Sequence, residues 1–122
     1  MEQSCTIWHS SLTQENVTDL ERIQKNALRN ILQDKYTDYK TALEILNLET
    51  LEARRNKLMN RYSKQCLKLD QTKHLFPLKE TFHCMQTRKG NKYELNKTYT
   101  ERYRKSTVPF IQRILNEEKN IK

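Results

Sequence analysis

Apolar residues recur every three or four positions in four stretches of this sequence, and polar residues fill the positions between them. The four stretches are 13–33, 38–46, about 50–69 and about 108–119. This spacing is typical of amphipathic helices. A residue able to cap a helix stands at the start of each stretch, namely Thr13, Asp38 or Thr37, Thr50, and Thr107. The pattern therefore predicts a mainly α protein, a small bundle of three to four helices.

The helix predicted over about 50–69 separates its apolar residues from its basic ones. At 100° per residue, the apolar side chains fall within an arc of roughly 100°. Five cations fall within an adjoining arc about 80° wide: Arg54, Lys57, Arg61, Lys64 and Lys68. Because no acidic residue interrupts 53–69, these cations repel one another unless a partner screens them. A nucleic-acid backbone would be such a partner; a solvated face is the alternative.

Residues 79–107 show no sustained helical or strand period. Tyr93 and Leu95 alternate with polar neighbours in a weak strand pattern, and the apolar residues of 75–78 predict a loop docked on the helices. Basic and aromatic residues interleave here: Arg88, Lys89, Lys92, Arg102, Arg104 and Lys105 with Tyr93, Tyr99 and Tyr103. Cations on phosphates with rings stacked on bases are typical of single-strand binding. Tyrosine rings packed beneath Lys and Arg stems are the alternative.

Charge divides the chain into two parts. The formal net charge is +8, and residues 71–122 hold twelve Lys or Arg against five Asp or Glu, a net charge of +7. We therefore predict a helical domain over 1–70 and a basic C-terminal extension over 71–122 that ends in a short helix. Such a local excess favours a polyanionic partner, RNA or DNA. A charged surface that only keeps a marginal fold in solution is the alternative.

Several classes of function find no support in the sequence. A single glycine cannot supply a P-loop or a dinucleotide-binding fingerprint. No H-E-x-x-H, G-x-S-x-G, D-x-D or D-D motif occurs, so we expect no enzyme activity and no cofactor. No apolar run approaches 18 residues, and we expect no membrane partner.

Three cysteines, Cys5, Cys66 and Cys84, are an odd number at wide spacing, which favours a reduced, intracellular compartment. His74 and His83 lie near the last two of them. Structural zinc sites prefer two close pairs of ligands, and this spacing does not provide them. We therefore predict no metal site.

Four motifs follow one another along the chain. The first two are CTIWHSSL at 5–12 and DLERIQKNALRNIL at 19–32, and the next two are YKTALEILNLETLEARR at 39–55 and ERYRKSTVPFIQRILN at 101–116. Their order resembles the C-terminal region of reverse transcriptases from non-LTR (LINE-type) retrotransposons, and the last motif is similar to the closing segment of invertebrate elements. The resemblance covers nearly the whole chain, with a weak part over 70–100.

The resemblance implies a post-palm fragment, the end of the thumb region with its C-terminal extension. Such enzymes carry their catalytic aspartates in the palm, upstream of this region, so we expect no polymerase activity here. Non-specific contact with RNA or DNA is implied instead, and an upstream palm domain is a further expected partner. Two alternatives stand beside this hypothesis. One is a small helical protein-interaction module that uses Trp8 and the apolar side of the last helix; the other is a non-functional remnant of a decayed element.

Two charged residues fall on helix faces that should be buried. Arg55 lies near the middle of the apolar arc of its helix, and Glu21 lies on the buried side of the first long helix. Because a lone buried charge is costly, we predict that they form one structural ion pair. Asp38 is the second choice of partner, and an Arg55 side chain that reaches the edge of the bundle is the alternative.

Overall fold

The computed structural model describes residues 4–78 and 93–120, and these are mainly helical. The helices are α1 (Cys5–Trp8), α2 (Gln14–Leu32), α3 (Tyr39–Ile45), α4 (Leu51–Lys68), α5 (Asp70–Lys73), α6 (Glu101–Arg104) and α7 (Thr107–Asn120), with 3₁₀ turns at His9–Ser11 and Gln33–Lys35. Within the described ranges there is no strand, and Leu78 and Tyr93 make an isolated antiparallel bridge. The predicted fold class, a small helical bundle, is confirmed.

The four predicted helices correspond to α2, α3, α4 and α7, and two of the predicted caps are confirmed. The Thr13 hydroxyl accepts from the backbone N–H of Asn16 (3.3 Å), and the Thr50 hydroxyl accepts from that of Ala53 (3.2 Å). Each bond satisfies an N–H that has no partner inside its helix. Thr107 is the first residue of α7 itself, so the prediction that it caps this helix is one residue wrong.

A tight link joins α3 to α4. Asn47 takes a left-handed conformation with φ of 50°. Its N–H donates to the carbonyl of Glu44 (3.1 Å), and the N–H of Leu48 donates to that of Leu43 (2.8 Å). This pair of bonds is the Schellman motif, which ends a helix with one left-handed residue. Asn tolerates that conformation better than other residues with a Cβ.

Three helices of four residues each, α1, α5 and α6, are absent from the sequence prediction. A single turn is too short for an apolar period to appear, so its residues look like those of a loop. Two of these short helices help to position the predicted basic surface, since α6 carries two of the predicted site cations and α1 packs against α4.

The buried side chains form two clusters. The larger cluster joins α4 to α7 and to the turn that follows α5. Its buried members are Met59, Cys66, Phe76, Ile111 and Leu115. The smaller joins α2 and α3 through Leu28, Ala42 and Leu43. α4 lies between them, since it packs against α1, α2, α5 and α7. Its position leaves one face of α4 exposed along the outside of the bundle.

The larger cluster draws residues from both sides of position 70, where we place the predicted domain boundary; that boundary stays a prediction. Ile111 and Leu115 are 2% and 6% exposed, so the apolar side of the last helix is part of this core. The prediction that this side offers a contact surface is therefore wrong. Phe76 is buried at 4%, as expected of a docked loop.

No described helix is both long enough and apolar enough to cross a membrane.

Candidate nucleic-acid interface

The predicted row of five cations lies on the solvent face of α4, and we call it the α4 stripe: Arg54, Lys57, Arg61, Lys64 and Lys68. All five of its cations are exposed, whereas Arg55, Met59, Ser63 and Cys66 of the same helix are buried. At 100° per residue, the middle of the stripe lies about 180° from the middle of this buried face. The helix therefore presents its cations outward in a row about 80° wide, in a position where a large anion could reach all of them.

Two cations of the stripe have acidic neighbours. Lys57 pairs with Glu49, and Lys64 pairs with Glu118 of α7 (3.2 Å). Arg61 and Lys68 form no ion pair with a described carboxylate. Both existing pairs are exposed, and such pairs contribute little to stability. A phosphate can therefore replace Glu49 or Glu118 at small cost, so Lys57 and Lys64 remain available to it.

A cleft of about 620 Å³ opens between α4 and the α6–α7 segment, and we call it the α4–α7 cleft. Its walls mix polar, charged and apolar side chains: Ser10, Asn56, Asn60, Arg104, Lys105 and Arg113 stand beside Glu101, Glu117, Phe110 and Ile114. Asn56 and Asn60 stand on α4 beside the stripe, one or two positions from stripe residues in sequence. The cleft and the stripe are thus neighbouring parts of one surface. The Lys64–Glu118 ion pair also joins the stripe to α7.

The cations of the cleft are held in place by local contacts. Arg104 and Lys105 both pair with Glu101, at 3.5 Å and 3.7 Å. The Nη2 of Arg113 donates to the carbonyl of Arg104 (2.6 Å), and its guanidinium lies 5.8 Å from the centre of the Phe110 ring. The lining therefore contains three cations against the carboxylates of Glu101 and Glu117, a small net positive charge.

The structure brings together only part of the predicted site. Arg104 and Lys105 line the cleft beside α4, and Arg102 is exposed on the same short helix. Arg61 instead lines a smaller cavity of about 280 Å³ with Cys5, Leu58 and Tyr62. The remaining predicted cations, Arg88, Lys89 and Lys92, lie outside the described residues.

The tyrosines of the basic segment divide between the two alternatives. Tyr93 packs against the larger core cluster. Tyr99 is 89% exposed, and Tyr103 is 43% exposed with its hydroxyl accepting from the Nδ2 of Asn96 (3.3 Å). Tyr93 thus has a structural role, whereas the rings of Tyr99 and Tyr103 remain accessible to a base.

The predicted ion pair between Glu21 and Arg55 is wrong, because the Glu21 carboxylate has other partners. Its Oε1 accepts from the backbone N–H of Glu52 (2.8 Å), and its Oε2 accepts from the Tyr39 hydroxyl (2.6 Å). Glu52 is the second residue of α4, where N–H groups lack helical partners and the helix dipole favours a negative charge. Glu21 of α2 therefore caps α4 and also binds α3.

Arg55 is buried, as predicted, but without a carboxylate. Its side chain is 3% exposed, and its Nε and Nη2 make no hydrogen bond with any described residue. Asp38 is therefore not its partner either. The alternative was an Arg55 side chain that reaches the edge of the bundle. It is also wrong for Nε and Nη2, because both nitrogen atoms are covered from solvent.

Burial, followed by the hydrogen bond to Glu21, raises the pKa of Tyr39 well above its ordinary value of 10.0. The unfolded chain loses this proton near pH 10, whereas the folded chain keeps it to higher pH. The stabilisation is therefore complete below about pH 10 and decreases as the pH rises further. We expect the melting temperature of the wild type to fall more steeply between about pH 10 and 11 than that of Tyr39→Phe, which lacks the group. Parallel curves for the two proteins would contradict this assignment.

Sequence reasoning missed two buried amides on α7, Gln112 and Asn116, which are 1% and 7% exposed. Gln112 accepts from the N–H of Asn96 (3.0 Å) and donates to the carbonyl of Leu75 (3.2 Å). Asn116 accepts from the N–H of Tyr93 (3.0 Å) and donates to its carbonyl (3.3 Å). Together they fix the segment that leads to Tyr99 and α6. The sequence did contain a signal for these buried amides, because Gln112 and Asn116 are four residues apart and therefore lie on one face of α7, beside its apolar side.

The described residues include two of the three cysteines. Cys5 and Cys66 are buried free thiols, and no group of three potential metal-ligating side chains occurs in residues 4–78 and 93–120. Cys84 and His83 lie outside the described residues. No protein-family model, curated protein or solved structure matches this chain.

Proposed function

We propose that this chain binds RNA or DNA non-specifically and catalyses no reaction. The observation that carries the proposal is the α4 stripe, five exposed cations on the face of α4 opposite its buried side. Lys and Arg side chains that neutralise phosphates release condensed counterions, and this gives affinity without sequence preference. The α4–α7 cleft adds three cations beside the stripe.

The resemblance to the post-palm region of non-LTR retrotransposon reverse transcriptases supports the same proposal. In that setting, the stripe would contact a template, a primer or the element's own RNA. An upstream palm domain would supply the catalysis that this chain lacks. The two free thiols among the described cysteines are in keeping with an intracellular protein.

The test is the salt dependence of binding. In a variant with Lys57→Gln, Arg61→Gln and Lys68→Gln, we expect the slope of log affinity against log salt to flatten by about 2 to 3, since each lost phosphate contact removes about 0.7–0.9. Fluorescence anisotropy with a labelled RNA or DNA strand, between about 50 and 200 mM salt, measures it.

A matched control removes the same charge elsewhere. Arg22, Lys25 and Lys40 are exposed on α2 and α3, away from the stripe. Their combined replacement by glutamine should leave the slope nearly unchanged. Equal slopes for the two triple variants would contradict the proposal, because only the net charge would then matter.

A protein-interaction module is the second candidate function, and one observation favours it. Ile23 and Ile31 of α2 are 51% and 66% exposed, and Ile45 of α3 is 55% exposed. These side chains lie on elements outside the stripe and the cleft. A contact through them would depend on apolar burial, so it would persist at salt concentrations that abolish electrostatic binding.

A further inference from the structure

We infer that the α4–α7 cleft receives an unpaired nucleotide, so that the protein prefers single-stranded RNA or DNA to duplex. This inference rests on the proposed function and states which form of nucleic acid it acts on. The first support is size. A cleft of about 620 Å³ is within the range of small-ligand pockets and can hold one nucleotide. A duplex keeps its bases stacked and paired inside, so it could touch only the rim.

The second support is the chemistry of the walls. Arg104, Lys105 and Arg113 supply cations for a phosphate, and the Asn56 and Asn60 carboxamides supply donors and acceptors for a base or a sugar. The Nε2 of His9 donates to the Oδ1 of Asn56 (2.8 Å), which fixes that carboxamide at the wall. These are the groups that RNA-binding proteins use on splayed-out nucleotides.

The third support is a flat cationic group in the wall of the cleft. The planar Arg113 guanidinium, held by the Arg104 carbonyl and the Phe110 ring, offers a surface on which a base can stack.

Tyr99 extends the surface beyond the cleft. Its ring is 89% exposed, and it immediately precedes Thr100, whose hydroxyl caps α6 by accepting from the N–H of Tyr103 (3.2 Å). α6 and the residue after it bring Arg104 and Lys105 to the cleft. A strand with one nucleotide in the cleft could therefore stack a neighbouring base on Tyr99. An exposed tyrosine ring is a suitable platform for a base, whatever the sequence of the strand.

The experiment compares one strand of about 12 nucleotides with the blunt duplex of the same sequence, at one fixed salt concentration. We expect the wild type to bind the single strand more tightly. Tyr99→Ala should weaken single-strand binding by about 5- to 100-fold, the effect of losing one base stack, and should leave duplex binding unchanged. Tyr99→Trp should restore the single-strand affinity. Because Tyr99 is so exposed, none of these changes threatens the fold.

A second variant tests the cleft itself. Asn60 is exposed and lines the cleft, and Asn60→Leu keeps a similar volume while removing the amide. We expect it to weaken single-strand binding and not duplex binding. Equal affinity for the two forms, with no effect of either substitution, would overturn the inference and leave the proposed function standing. Binding of neither form at low salt would instead refute the proposed function.

Discussion

Replacement of Glu21 by alanine is expected to lower the free energy of unfolding by about 2–5 kcal/mol. The substitution removes an ionised acceptor from two donors, the N–H of Glu52 and the hydroxyl of Tyr39. Hydrogen bonds to charged groups contribute about 1.5–3 kcal/mol each, and without Glu21 the Tyr39 hydroxyl keeps only its longer bond to the Oε1 of Gln24 (3.2 Å). Glu21 also places a negative charge at the positive end of the α4 dipole. Urea denaturation with linear extrapolation measures the change.

Two further variants separate the role of Glu21 from general effects of charge. Glu44 is an exposed carboxylate on α3, and Glu44→Ala should change stability by less than about 0.5 kcal/mol. Glu21→Gln keeps the shape and one carbonyl acceptor, so it can satisfy one of the two donors and should cost about half as much as Glu21→Ala. Similar small effects of Glu21→Ala and Glu44→Ala would show that Glu21 does not hold the three helices together.

The helices could be predicted from the sequence because the signals that define them are local. Thr13 and Thr50 each lie three residues before the N–H that they cap, and the apolar period of α4 continues over several turns. Such information is contained in a window of a few residues. The position of the α4 stripe follows from the same period, since residues outside the apolar arc must face solvent in a small bundle.

The partners of the buried polar groups could not be predicted in the same way. Periodicity places Glu21 and Arg55 on inward faces, but the choice of partner depends on how the helices are arranged in space. Glu21 lies 31 residues before the N–H that it accepts from, and that donor belongs to the backbone, which no side-chain pattern reveals. We predicted a side-chain partner because the sequence displays only side chains.

The two parts of the candidate site, the stripe and the cleft, differ in how far the sequence predicts them. The stripe belongs to one helix and could be predicted from α4 alone. The cleft is built from the 3₁₀ turn after α1, from α4, and from the α6–α7 segment, which the sequence pattern does not bring together. Two buried amides, Gln112 and Asn116, fix the segment that leads into α6. They attach this segment to α7 at Tyr93 and Asn96, so side-chain bonds made by α7 contribute to the shape of the proposed interface.

Arg55→Met is expected to raise the free energy of unfolding by about 1–4 kcal/mol, an unusual direction for a core substitution. The guanidinium is almost completely covered, and its Nε and Nη2 have no partner among the described residues. Apolar groups that replace buried ionic ones at similar volume are often stabilising by this amount, because the desolvation cost of the charge disappears. Methionine is unbranched and adapts its shape to the space that the arginine stem occupies beside Met59.

The controls for this prediction distinguish charge from packing. Arg61→Met removes the same charge from an exposed position of the same helix and should change stability by less than about 0.5 kcal/mol. Arg55→Ala removes the stem as well as the charge, so the loss of packing offsets the gain and this variant should be less stable than Arg55→Met. A loss of about 3–5 kcal/mol in Arg55→Met, the cost of breaking a buried ion pair, would mean that Arg55 has a strong anionic partner in solution. Thermal and urea denaturation of the three variants beside the wild type therefore decide whether Arg55 destabilises the fold or anchors it.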